Sequence, residues 1–183
     1  MFIEALIVGL IIAYFRGGRL DNFNYLEIKG WYLIIIGLML QLTPVFISGY
    51  IFLSYLQLLG IIVILFAVLI NIKVKGFWLI MFGGVLNFIA VLINDFKMPV
   101  NLIFQTGTRF NSFIDTILEG NVINYMVSES TSWTGLFGKI LATPNWYPFP
   151  KLLSVGDLFI TIGLFVFIYG ELKRKQYRRK SSI

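Results

Sequence analysis

The chain has no cysteine and no histidine. Those two absences remove disulfides, thiol nucleophiles, imidazole acid–base chemistry and most zinc, haem or copper ligation, so neither a cofactor nor a metal is expected. Charge is scarce as well. Only 13% of the 183 residues are Asp, Glu, Lys or Arg, against 58% hydrophobic ones, and the mean hydropathy is +0.84. A soluble domain of this length cannot bury that much apolar surface. No repeat of 20 to 50 residues is present, and five apolar runs do not divide into the two inverted halves of many transporters.

What the chain does have is long apolar runs. They predict spans at about 1–15, 31–47, 52–70, 77–94 and 152–170, most of them near the ~20 residues that cross a hydrocarbon layer. The expected fold is therefore an all-α membrane protein. It is a single integral domain over 1–183, a five-transmembrane-helix bundle with an external capping segment at 95–151 and a basic tail at 171–183. The first run is short, yet it does not read as a removable signal. Glu4 stands where a basic leader belongs, and Arg16-Gly17-Gly18-Arg19 follows in place of a small-residue cleavage site.

Basic residues predict orientation, because Lys and Arg in short loops resist translocation. Arg16, Arg19 and Lys29, then Lys73 and Lys75, then Lys173, Arg174, Lys175, Arg178, Arg179 and Lys180 all fall on one side, eleven of the fifteen in the chain. This places the N-terminus outside and the C-terminus in the cytoplasm. Trp31 and Trp78 lie close to Lys29 and Lys75, at headgroup level. The same confinement explains the pI of about 9.6 by contact with anionic membrane lipid rather than nucleic acid.

Small and uncharged polar residues recur at helical spacing, as they do where membrane helices pack closely. The stripes are Ala5, Gly9 and Ala13; Gly37, Gln41, Pro44 and Ser48; Gln57, Gly60, Ile64, Ala67 and Asn71; Gly83, Asn87, Ala90 and Asn94; and Gly156, Gly163 and Gly170. Gln41, Gln57 and Asn87 fit either helix packing or a polar site at mid-membrane. Glu4 fits an interfacial carboxylate near a positive helix N-terminus or one turned into the bundle.

The segment 95–151 is too long for a passive connector. Phe110, Phe113, Ile114 and Ile117 share one helical face, apart from Arg109, Asn111, Asp115 and Glu119, which predicts an amphipathic helix. Leu136, Phe137, Ile140 and Leu141 suggest a shorter one. Pro144-Asn145-Trp146-Tyr147-Pro148-Phe149-Pro150 then supplies rigid aromatic walls, suited to an interfacial cap or to a platform for an amphiphile.

Two motifs flank that segment. Asn94-Asp95-Phe96-Lys97-Met98-Pro99-Val100 leaves the fourth run, and Ser154-Val155-Gly156-Asp157 opens the fifth, with Leu136-Phe137-Gly138 between them. Over about 94–163 this resembles a family of small bacterial multi-pass membrane proteins known only as a domain of unknown function. Its pattern is Asn-Gly-Gly-basic-Met-Pro-Val and later Ser-Val-Gly-Asp. Asp95 and Phe96 replace the glycine pair, and Lys97 replaces the usual arginine, which removes a backbone nest for an anion and a bidentate fork. The resemblance implies a bacterial cytoplasmic membrane and no particular activity.

Read from the residues, Ser154 and Asp157 form a capping box, while Asn94, Asp95, Lys97 and Asp157 are expected together at the outer mouth of the bundle. The candidate binding residues are Asn94, Asp95, Lys97, Arg109, Trp146 and Asp157. No catalytic residue is assigned, since neither a nucleophile nor a metal set accompanies the acids. The expected function is non-enzymatic binding of a lipid, a lipid-linked molecule or a membrane-protein partner. The alternatives are an outer-leaflet enzyme using Asp95 or Asp157 with Lys97, and a structural accessory subunit.

Overall fold

A computed structural model describes residues 1–46, 52–102, 110–120, 122, 124–128 and 137–174. Arg109, Leu136 and the basic residues from Lys175 onward lie outside the described residues. In chain order the elements are α1 (Phe2–Phe15), a 3-10 helix (Leu20–Tyr25), α2 (Trp31–Phe46), α3 (Phe52–Ile70), α4 (Phe77–Leu92), β1 (Met98–Asn101), α5 (Asn111–Leu118), β2 (Tyr125–Ser128), β3 (Lys139–Ala142), β4 (Leu152–Ser154) and α6 (Val155–Leu172).

The helices pack through their smallest residues. α1 buries only Ala5, Gly9 and Ala13 and leaves Ile3, Ile7 and Ile11 exposed. α4 and α6 meet along a glycine seam: a Cβ on Gly83 would overlap the Gly156 carbonyl, and one on Gly163 would come within 2.8 Å of the Gly76 carbonyl. Gly37 and Gly60 play the same part between α2 and α3, since a Cβ on Gly60 would lie 2.7 Å from the Gly37 carbonyl. Small residues inside and large apolar residues outside invert the pattern of a soluble protein and suit close helix contact in lipid. The chain is thus a membrane-associated protein with apolar helices.

Two asparagines tie the 16–30 loop to the helix ends. Asn22 Nδ2 donates to the carbonyls of Leu172 (2.8 Å) and Arg174 (3.1 Å). Asn71 accepts from the Lys29 amide at 2.8 Å and donates to the carbonyls of Lys29 and Ala67, both at 2.7 Å. α1 itself stops at Gly17, whose φ of +80° suits glycine, and the Gly18 amide returns to the Ala13 carbonyl at 2.7 Å.

The segment after α4 builds a four-stranded sheet in the order β2-β1-β3-β4. β1 runs parallel to β2 and β3, and β3 runs antiparallel to β4 with Lys139 opposite Ser154. β1 is wholly buried. Its Pro99 is tolerated in a central strand because pairing with β3 begins only at Val100. Ala90, Val91 and Met98 form a core beneath the sheet, with Leu58, Ile61, Phe96, Tyr125 and Phe137 packed around it.

This architecture corrects the all-α, five-span expectation. Among the described residues only α3, with 19 residues, and α6, with 18, are long and apolar enough to cross a membrane, whereas α1, α2 and α4 are shorter. At ~1.5 Å per residue a helix the length of α1 covers only about two thirds of a ~30 Å hydrocarbon layer. Hydropathy overstated the fourth span because α4 ends at Leu92 and the backbone then turns through positive φ at Asp95 and Phe96. Without five crossings the basic loops no longer alternate between two sides, so they do not place the N-terminus outside and the C-terminus in the cytoplasm. Among the described residues of the 95–151 segment there is one short amphipathic helix, α5, which buries Ile114 and Ile117, alongside strands β1, β2 and β3. The second expected one is strand β3, because a single turn's worth of apolar residues fits both periods and sheet pairing decides between them.

Candidate functional site

Ser154 and Asp157 start α6 as a capping box: Ser154 Oγ accepts from the Asp157 amide and Asp157 Oδ2 from the Ser154 amide, each at 3.0 Å. The missing side chain of Gly156 lets α4 approach closely enough for Asn87 to join. Asn87 Oδ1 accepts from Ser154 Oγ at 2.6 Å, and its Nδ2 donates to Asp157 Oδ1 at 2.9 Å. The Lys139 ammonium forms an ion pair with Asp157 Oδ2. Lys139 reaches that position because the β3–β4 register sets it opposite Ser154.

A second charged group faces this one. Glu4, in the first turn of α1, accepts at Oε1 from Tyr147 Oη at 3.0 Å and pairs with the Lys151 ammonium. Its Oε2 lies 2.6 Å from the amino terminus. The bond from Lys151, with the terminal ammonium next, holds the Glu4 carboxyl well below its ordinary range. Tyr147 and Lys151 belong to a loop whose base is closed by the Thr143 amide on the Lys151 carbonyl (3.0 Å) and the Lys151 amide on Thr143 Oγ1 (2.9 Å).

Between the two groups lies a cleft of about 270 Å³, walled by Phe2, Ile3, Leu152 and Leu153 and carrying Glu4, Lys139, Lys151 and Asp157. An apolar groove of about 490 Å³ adjoins it, lined among others by Val8, Pro144, Trp146, Ile162 and Phe165. Cleft and groove share Met1 and Glu4. The pair offers charged hydrogen-bonding groups at one end and a hydrocarbon surface at the other. Among the described residues no three acidic side chains gather as a metal site.

Of the residues expected from sequence, Asp157 lies in the cleft and Trp146 lines the groove. Asn94, Asp95 and Lys97 line neither. Asn94 Nδ2 donates to the Ala90 carbonyl at 2.7 Å, Asp95 is exposed, and the Lys97 amide closes a turn on the Asn94 carbonyl at 2.9 Å. Arg109 is outside the described residues. Lys139, Lys151 and Tyr147 are not among the candidate binding residues expected from sequence. The signals available were weak ones: Lys139 directly follows Leu136-Phe137-Gly138, and Tyr147 and Lys151 fall in or beside the proline-rich aromatic stretch.

The model of the Family of unknown function (DUF5317) matches residues 25–169, a stretch that begins well before the two motifs. A protein of Thermotoga maritima named "Uncharacterized protein" is 27% identical over 169 residues, which cover 91% of this chain and 89% of that one. No solved structure matches the chain.

Proposed function

We propose a function for the chain from its own site, because the family to which it belongs, DUF5317, is described only as one of unknown function. The reading is a non-enzymatic, multi-pass protein of the bacterial cytoplasmic membrane, crossing it at least through α3 and α6. It binds an amphiphile, a lipid or a lipid-linked molecule. The polar head sits among Glu4, Lys139, Lys151 and Asp157, and the hydrocarbon tail lies along Val8, Ile162 and Phe165.

One observation carries this reading: the charged cleft and the apolar groove lie side by side, sharing Met1 and Glu4 in their walls. A site for a soluble metabolite has no use for the second half, and a mere helix contact has no use for the first. Native mass spectrometry of the detergent-purified protein tests it. Wild type should retain lipid, and Val8→Trp and Ile162→Trp, which fill the groove, should lose it while staying folded. Equal lipid retention by wild type and both variants would overturn it. A membrane-protein partner is the second reading, favoured by the exposed rings of Trp146, at 81%, and Phe149. Co-purification of a protein that depends on Trp146 but not on groove filling would select it.

A further inference from the structure

Resting on the reading that cleft and groove hold an amphiphile, we propose that the head group bound in the cleft bears a phosphate. The argument is a count of donors and acceptors. Asp157 Oδ1 accepts from Asn87 Nδ2 at 2.9 Å, and Oδ2 accepts from the Ser154 amide at 3.0 Å and from the Lys139 ammonium. Glu4 Oε1 accepts from Tyr147 Oη at 3.0 Å and from the Lys151 ammonium, and its Oε2 faces the amino terminus at 2.6 Å. Asp157 thus already receives three donors, and Glu4 receives two at Oε1 while its Oε2 is paired in charge with the amino terminus. An entering cation offers nothing to the ammonium groups and would have to compete with protein donors for a paired carboxylate, which is costly at one as buried as Asp157.

The opposite holds for donors. An ammonium carries three N–H groups, and Lys151, whose side chain is 33% exposed, spends one on Glu4 and faces the cleft. An ionised phosphate is acceptor-only at its non-bridging oxygens and can take such donors without breaking either ion pair. Phe2, Ile3, Leu152 and Leu153 wall the same space and lower its polarity, so that a charge-assisted bond is stronger there than in water. The apolar groove beside it makes a lipid phosphate the natural source, and a free phosphate ion shares the chemistry.

The test uses the full chain in detergent with three probes: phosphatidylglycerol, diacylglycerol of the same acyl chains, and inorganic phosphate. Native mass spectrometry should show about tenfold greater retention of phosphatidylglycerol than of diacylglycerol, the discrimination one good charge-assisted contact supplies. Lys151→Gln should bring that ratio close to one, and Lys151→Arg, which keeps the donors, should preserve it and guard against a folding defect. Equal retention of both lipids by wild type, still lost in Val8→Trp, overturns the phosphate and leaves the amphiphile reading standing. Thermal stabilisation by inorganic phosphate that disappears in Lys151→Gln, with no lipid retained, supports the phosphate and assigns it to a free ion, against the amphiphile reading. No discrimination between the lipids and no shift with phosphate overturns the proposal.

Discussion

Lys139, the first residue of β3, forms an ion pair with Asp157, the third residue of α6, with the two side chains 14% and 7% exposed. The same carboxylate also completes a helix cap, so one side chain fastens the sheet to the helix. A cap needs only an acceptor, whereas a nearly buried ammonium needs a negative charge. Asp157→Asn keeps the acceptor and abandons the ammonium, and it should cost about 3 kcal/mol, the lower end for breaking a buried pair. Lys139→Gln should cost a similar amount, and the double variant clearly less than the sum of the two. Thermal unfolding in detergent measures all three. Lys97→Gln, in a residue that lines neither cleft nor groove, should stay within about 0.5 kcal/mol of wild type.

The seam between α4 and α6 leads to a prediction about volume. A Cβ at Gly83 meets the Gly156 carbonyl and lies 2.9 Å from the Ile160 amide nitrogen, and backbone cannot step aside as a side chain tip can. Gly83→Ala should therefore lose about 1–3 kcal/mol and Gly83→Leu should prevent the fold. Gly17→Ala is the contrast. Nothing lies within 4 Å of a Cβ there, but φ is +80°, so only backbone strain of about 1–2 kcal/mol is expected. Thermal midpoints in detergent rank the variants.

The inward stripes were legible because small residues at helical spacing have one use between membrane helices, and Ala5, Gly9, Ala13, Gly60, Ala67, Gly83, Ala90, Gly156, Gly163 and Gly170 are all buried. The cap at Ser154 and Asp157 was legible because both partners lie within one turn. The sheet was not. Its strands are three or four residues long, too short for a period-2 signal, and β1 is buried along its whole length, which erases alternation altogether. The partner of Asp157 was hidden for the same reason: Lys139 gets there through a pairing register, and register is a tertiary property. Lys97, in the motif beside Asp95, looked the better partner only because it was conspicuous in sequence.

Acid should loosen the contact between α1 and the 143–151 loop. The Lys151 bond and the terminal ammonium lower the Glu4 pKa below its ordinary value of 4.5. A depressed carboxyl contributes stability at neutral pH, and that contribution begins to fade as pH drops below the ordinary value and is gone once the folded-state pKa is passed. The thermal midpoint of wild type should consequently fall below about pH 4.5 more steeply than that of Glu4→Gln, which has no proton to gain. Parallel curves for the two proteins would remove Glu4 from the acid response.

Asn71 tests whether the 16–30 loop is fastened or merely rests on the bundle. Its amide side chain copies the donor and acceptor of a peptide, accepting from the Lys29 amide at 2.8 Å and donating to the Lys29 carbonyl at 2.7 Å, while a second donor closes on Ala67. Both Lys29 backbone groups then depend on this one residue, which is itself buried. Asn71→Ala removes both partners together and should cost about 1–3 kcal/mol, the penalty of unsatisfied polar groups. Asn71→Asp should do no better, since a carboxylate still accepts from the Lys29 amide but repels the two carbonyls it now faces. The local readout is amide hydrogen exchange: in both variants the Lys29 amide should exchange much faster. Amides in the middle of α6 should change only as far as global stability does. Unchanged protection at Lys29 would mean that the loop is held by Asn22 and its bonds to Leu172 and Arg174 without help from Asn71.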